Sequence, residues 1–445
     1  MKAHLSSTGI SGLLVGTAMM LGGSGACAQS LMELYEAARD YDAAFQSARL
    51  QYEANLARAE QGKAGMRTAA NLSAGLSYTD QDGSPSSLKR QFETRTMTAS
   101  ASHPLYRPAN QAAFDQAIKQ VESAKAQLEV AEQELILRTS QAYFDVLGAQ
   151  DNLLAVQAQR NAVSEQLASA KRRFEVGTAT IVDTRQAQAA FDRIEASRIQ
   201  AENDLAVKRL ALDQLVGRAG TRPLSLAAPV RLAPVQGDVG RWVDEAQTAH
   251  PNVRSAKTNL DIAELEVLRA QAGHKPTLDA TASQSLTETP RGNASSSAIK
   301  RGNSTTIGLS FNLPLFAGYA TQNRIRETLA LSDKAKSDLE SAKRTVAQST
   351  RSAYFNLISG LSRVEALQAA EASAQSLVDS TRLGYQVGVT VNLDVLDAQS
   401  QLFNSRRDLA LARYDVLIGG LRLKQANGSL SPNDLKPINQ MLAKP

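Results

Sequence analysis

Cysteine is almost missing from this sequence: Cys27 is the single one in 445 residues. One thiol forms no internal disulfide, so a disulfide-stapled scaffold is excluded. Aromatic residues make up only 5% of the chain. A core must then come from small aliphatic side chains, which suits long helices packed closely side by side. Beyond residue 30 no stretch approaches the ~18 consecutive apolar residues of a membrane-spanning helix. If the chain crosses a membrane, it does so as strands closed into a barrel. The four histidines, His4, His103, His250 and His274, lack metal-ligand spacing. There is no G-x-S-x-G, no G-x-x-x-x-G-K-[ST] and no H-E-x-x-H, so the sequence points to no enzyme, no cofactor and no metal centre. The net charge is +5, but both signs are interspersed throughout. No basic block or basic-aromatic patch is present, which argues against nucleic-acid binding.

The N-terminus, MKAHLSSTGISGLLVGTAMMLGGSGACAQS, has one lysine, an apolar stretch and then Ala26-Cys27-Ala28. This is the pattern of a secretory signal peptide over residues 1–28. Cleavage after Ala28 leaves a mature chain without cysteine. The alternative, Cys27 as the acylated first residue of a lipoprotein, fits less well, because Ser24-Gly25-Ala26 lacks the usual large aliphatic residue.

What the chain does have is a repeat. FEVGTATIVDT (174–184) and YQVGVTVNLDV (385–395) share an aromatic, a V-G pair and an aspartate, at an offset of 385 − 174 = 211 residues. QAYFDVL (141–147) matches SAYFNLI (352–358), again 352 − 141 = 211 apart. PLY (104–106) matches PLF (314–316), and KAGMRT (63–68) matches QAGHKP (271–276). A tandem duplication is indicated, with repeats at 29–217 and 242–428. A proline-bearing connector (218–241, with Pro223, Pro229 and Pro234) separates them, and a similar segment (429–445) closes the chain.

Each repeat carries the same order of elements. A helix of about 35 residues comes first, expected over 31–66 and over 242–273. Two strand-like segments follow around a polar loop: 70–79 with 94–105, and 277–286 with 305–315. Leu72, Ala74, Leu76 and Tyr78 fall on one face, and so do Ile307, Leu309, Phe311, Leu313 and Leu315; small polar residues fall opposite. The loops 81–91 and 288–303 are rich in Gly, Ser, Pro and charge and read as hairpin tips. Then comes a very long helix. From Phe114 every seventh residue is apolar (Val121, Leu128, Leu135, Ala142, Ala149, Val156, Val163, Ala170), the seam of a helix packed lengthwise on another. The expected spans are 109–172 and 320–383. Gly177 and Gly388 read as left-handed helix stops, and the return helices are expected at 181–217 and 393–425. Residues 174–183 and 385–394 are thus the tips of two antiparallel helical hairpins. The class is α+β. Four strands cannot close a barrel alone, whereas three copies would supply twelve.

RFEVGTATIVD (173–183), GYQVGVTVNLDVLDAQ (384–399), GHKPTLDATAS (273–283), GLSFNLPLFAG (308–318), the two YF pairs and the two-fold repeat together resemble the TolC family of outer-membrane efflux and type I secretion channels. The resemblance covers nearly all of the chain after residue 30. It implies a homotrimer with a twelve-stranded barrel in outer-membrane lipid, a coiled-coil helical tube through the periplasm, and a girdle made by the connector and the C-terminus. It implies as partners a periplasmic adaptor and an inner-membrane pump or ABC exporter. Export of small toxic molecules or unfolded secreted proteins is the expected function. The other class considered is a periplasmic coiled-coil stalk or adaptor without a pore, which leaves the paired strands in both halves unexplained.

The resemblance also implies roles at the tips. Tyr385 matches a tyrosine that holds the closed state, and Asp183 matches its acidic partner in the other hairpin. The basic residue that completes this latch in the family is replaced here by Thr390. Asp394 and Asp397 match two acidic rings at the periplasmic entrance, which favour cations and can be blocked by multivalent ones. Each has a plainer reading. Asp183 and Asp394 sit where a carboxylate complements a helix N-terminus, Tyr385 can be tip packing, and Arg173 can be a solvated helix charge. Asp397 is harder to read as a cap, because it stands one turn beyond Asp394 on the same face.

Overall fold

The structure, a computed structural model, describes residues 29–81, 90–227, 232, 234–290 and 299–443. The expected signal peptide with Cys27, most of both polar loops, and Pro229 of the connector lie outside the described residues.

The four strands are β1 (Ala69–Gln81), β2 (Arg90–Tyr106), β3 (Thr277–Thr289) and β4 (Lys300–Asn312), forming one antiparallel sheet in the order β1-β2-β3-β4. The middle pairing joins the two repeats, with a register shift between Pro104 and Tyr106. Beside it Arg107 donates two hydrogen bonds to Asp279, at 2.7 and 2.6 Å. β4 stops at Asn312, before Pro314, so Leu313 and Leu315 lie beyond the strand in which the sequence pattern put them. Pro314 has no N–H to give the ladder.

The register sorts the sheet into two unlike faces. Rows such as Leu72–Ala99–Gln284–Thr305 and Ala70–Ala101–Ala282–Ile307 share one face, which is largely apolar along its middle apart from Gln284, Asn303 and Thr305, and charged towards the loops, where Asp80, Glu93, Arg95, Glu288 and Arg301 stand. The opposite face carries Ser73, Thr96, Thr98, Ser100, Ser283, Ser285, Thr287, Ser304 and Thr306. On β2 and β3 the hydroxyl residues are half-buried while Met97, Ala99, Ala282 and Leu286 are exposed. Crowding on one side means that the sheet curves towards the hydroxyls. β1 and β4 are paired on one side only.

The helices are α1 (Leu31–Tyr41), α2 (Ala43–Ala64), α3 (Pro108–Glu175), α4 (Ile181–Val216), α5 (Val239–Ala249), α6 (Pro251–Gln271), α7 (Ala320–Val387), α8 (Asn392–Asn427) and α9 (Leu435–Gln440). α3 and α7 have 68 residues each, so each is about 100 Å long at ~1.5 Å per residue. Near the sheet α3 packs on α2 and α6, and α6 packs on α7; farther away α4 runs back along α3 and α8 along α7. None of the nine apolar seam positions of α3 is exposed, and Leu135, Ala149, Val163 and Ala170 are fully covered.

The opening helix expected in each repeat is in fact two. Asp42 is extended (ψ 116°) and its Oδ1 accepts from the Phe45 N–H at 2.8 Å, starting a second helix. In the other repeat His250 is extended (ψ 132°) because Pro251 follows it. These breaks turn α1 and α5 into the girdle. Gln29 pairs with Pro223, Leu226 with Leu442, and α9 packs on α1. The largest core lies here, around Tyr35, Leu135, Tyr143, Phe144 and Leu435. Tyr143 donates to the Leu224 carbonyl at 2.7 Å, and Phe144 stacks on Tyr414.

One protomer is not a finished object. Its accessible surface is 27400 Å², against about 16,000 Å² for a compact monomer of this mass. On α7, Leu329, Leu331, Phe355, Leu377 and Leu383 stand exposed.

Candidate functional site at the hairpin tips

α3 ends where Gly177 takes φ +76°, and α7 where Gly388 takes φ +81°. A side chain at a positive φ is strained, which is why both turns carry glycine. The turn amides fold back on the helix ends: Thr178 N–H donates to the Arg173 carbonyl and Val389 N–H to the Gly384 carbonyl, both at 2.8 Å. Extended Thr180 and Val391 then start α4 and α8.

Asp183 is engaged within its own helix. Its Oδ2 accepts from Thr180 N–H at 2.9 Å and from the Thr180 hydroxyl at 2.7 Å, while Thr180 Oγ1 accepts from Asp183 N–H at 3.2 Å. This is a reciprocal capping box. Asp394 holds one such bond, from Val391 N–H at 3.0 Å, because valine offers no side-chain oxygen in return. Asp397 is exposed one turn later, with no hydrogen bond or ion pair among the described residues. Thr390 turns inward: its hydroxyl donates to the Thr381 carbonyl at 3.0 Å, and its methyl lies over Gly384.

At the tips the two hairpins meet through Arg173, Asn392 and Leu396. Arg173 lies over the Tyr385 ring, 4.4 Å from its centroid. Asn392 is fully buried; its amide donates to the Asp183 carbonyl at 3.3 Å and its oxygen accepts from Gln166. Leu396 packs with Val163 and Ile194. So Tyr385 meets Arg173, and among the described residues no hydrogen bond joins it to Asp183. Asn392 and Gln166 were not singled out from the sequence. A polar residue after an N-cap and a glutamine in a long helix are unremarkable until the fold brings them together across 226 residues. Above the tips Arg198 and Arg160 hold the Glu195 carboxyl at about 2, well below the usual range.

A curved four-stranded sheet with open edges, mounted on two such hairpins, defines one protomer of a β-barrel duct. The chain belongs to the outer membrane efflux protein family, whose model matches it twice, at residues 34–218 and 242–429. It is 30% identical to outer membrane protein TolC of Vibrio cholerae over 429 residues, 96% of this chain and 97% of that one. It is 26% identical over 438 residues to the proteases secretion protein PrtF of Dickeya chrysanthemi, covering 96% of this chain and 94% of that one. The solved CmeC outer membrane channel of Campylobacter jejuni shares the fold, with a TM-score of 0.78 at 16% identity over 93% of this chain and 90% of the other. Proteins of this family are outer-membrane ducts rather than enzymes, with a large periplasmic helical part. They form homotrimers and work with adaptor proteins and inner-membrane pumps.

Proposed function

We propose that this protein is the exit duct of a tripartite export system and that its hairpin tips form a cation-favouring periplasmic entrance. The observation that carries the entrance reading is the difference in engagement: Asp183 is absorbed by its capping box, whereas Asp397 is free and Asp394 holds a single bond. Three copies would place six exposed carboxylates around one constriction, a charge ring of the kind that selects cations. The exposed apolar residues Val176, Val182, Val387 and Val389 around the tips supply a surface for the periplasmic adaptor. The closed state is held by Arg173 on Tyr385 and by Asn392 between Gln166 and Asp183, with Thr390 committed to its own turn.

For cargo, the hydroxyl face of the sheet favours a passage of low selectivity. Ser and Thr side chains of β1–β4 offer hydrogen bonds without fixed charge, so small amphiphiles and extended polypeptides both fit such a lining. We infer that the pump and adaptor choose the cargo.

The test is conductance of the purified mature trimer in a planar bilayer. The expected result is stable, cation-selective channels blocked by a trivalent cation added on the periplasmic side, with the block lost in Asp394→Asn/Asp397→Asn. Well-folded trimers that form no channels would overturn the duct. Channels whose block survives the double substitution would overturn the entrance assignment.

A further inference from the structure

A cavity of about 590 Å³ opens between α7 and α8 at the level of the girdle. Ser352, Asn356, Ser359 and Arg363 form its α7 wall, spaced so that they share one face of the helix. Each of these side chains carries a hydrogen-bond donor. Among the described residues none of the four has a hydrogen-bond or ion-pair partner for its side chain. Asp415 and Arg422 stand on the α8 wall, and the buried side chains of Leu357, Val416 and Ile418 supply an apolar bed. The groove thus sets two guanidiniums and a row of small donors above a hydrophobic floor.

What lies behind the groove fixes its direction. The Tyr354 hydroxyl donates to the Gly237 carbonyl at 3.3 Å, and Trp242 packs on the core shared by α7 and α8. The girdle therefore covers one side of this helix pair. At ~3.6 residues per turn, Ser352 and Asn356 stand nearly opposite Tyr354, so with the girdle outside the tube the groove faces the passage. Arg422 is held in place there. Its Nη2 donates to the Gln141 oxygen at 2.9 Å, the Gln141 amide donates to Asp145 at 2.7 Å, and Lys208 donates to the same carboxylate at 3.1 Å. Lys208 neutralises Asp145, and Arg422 is left with a neutral partner. Asp415 is the one carboxylate on the groove and forms no ion pair with either arginine. Two cations against one anion leave the groove positive.

We propose that this groove is an anion-binding station on the inner wall of the duct, taking the carboxylate or phosphate group of a small amphiphilic organic molecule in transit. Arg363 and Arg422 hold the charged group, and Ser352, Asn356 and Ser359 donate to its oxygens. The apolar bed takes the body of the molecule. Arg363 lies 388 − 363 = 25 residues from Gly388 along α7, about 37 Å from the tip at ~1.5 Å per residue. Three protomers place three such stations at one height, well inside the acidic entrance. An open groove binds weakly, which suits a station that must also release. This inference rests on the duct reading, and its test separates the two.

Purified trimers in a planar bilayer would be titrated with phenyl phosphate and, separately, with inorganic phosphate, reading partial block of the current. The expected result is block by phenyl phosphate at about one-tenth the concentration that inorganic phosphate needs, because the ring adds apolar contact. Arg363→Gln/Arg422→Gln should raise the half-blocking concentration of phenyl phosphate about tenfold. Asp415→Asn should lower it about threefold, because a like charge is removed from the groove. Should the double variant fail to assemble, Arg363→Gln alone, which loses no hydrogen bond or ion pair within the protomer, carries the test. Conducting channels whose block survives these substitutions would overturn the station and leave the duct intact. Equal block by the two probes would overturn the assignment to an organic anion. Well-folded wild-type trimers that form no channels would overturn the duct and the station together.

Discussion

The two hairpin tips are copies of one design put to different uses. Each ends a 68-residue helix at a left-handed glycine and starts a 36-residue return helix with an aspartate three residues after the cap. In the first tip the cap is Thr180, and its hydroxyl draws Asp183 into a closed local circuit. In the second the cap is Val391, and Asp394 is left half-engaged with Asp397 free beside it. One side chain at the cap therefore decides whether the acid serves its own helix or faces outward. The second tip also supplies Asn392, which reaches into the first; the first supplies Arg173, which covers Tyr385. Duplication gave the architecture, and divergence at a few positions divided the work.

That asymmetry can be attacked at several points. The largest effect is expected from Asn392→Leu. It removes the partner of the half-buried Gln166 amide and one of the donors to the Asp183 carbonyl, at a cost of about 1–3 kcal/mol. Hairpin contact should loosen, read as a higher open probability in single-channel records. An unchanged open probability would remove Asn392 from the closure. Next is selectivity. Six carboxylates around one constriction, screened by salt, contribute on the order of 1 kcal/mol. Asp394→Asn/Asp397→Asn should then lower the potassium-to-chloride permeability ratio roughly fivefold, while Asp183→Asn leaves it nearly unchanged. Equal effects from both would erase the distinction between the tips.

Exchanging the caps sharpens the comparison further. Thr180→Val should destabilise the first tip by about 1 kcal/mol, and Val391→Thr should stabilise the second by a similar amount. Hydrogen exchange at the first turns of α4 and α8 reads both changes. The same Val391→Thr variant should weaken trivalent block slightly, because Asp394 gains a competing donor. The smallest effect is expected from Arg173→Gln, which forfeits a contact worth about 0.5–1 kcal/mol at an exposed site and should raise the open probability less than Asn392→Leu does.

Much of this was legible in the sequence because it is written in periods. The heptad seam from Phe114 to Ala170 placed α3 to within a few residues, and the period of two in β1 and β4 identified their faces. The helix stops at Gly177 and Gly388 followed from backbone sterics alone. The kinks at Asp42 and Pro251 had local signals, a cap residue and a proline, that the surrounding helical pattern outweighed. The contacts between hairpins had no such signal. Asn392 with Gln166 and Arg173 with Tyr385 each join residues more than 200 positions apart, and nothing in either neighbourhood marks the partner. The same holds for the two YF pairs. They read alike, yet Phe144 is buried in the girdle core whereas Phe355 is exposed on α7.

The unpaired flanks of β1 and β4 have a consequence for biogenesis. Each protomer carries two 13-residue strands whose outer backbone groups find partners only when the ring closes. A lone chain is therefore a sticky intermediate, and two chains together still leave two raw edges. Productive insertion depends on a third arrival, so the yield of finished ducts should climb steeply with the rate of synthesis. At low supply, holding the half-built forms soluble becomes a task for the cell's chaperones rather than for the sequence itself.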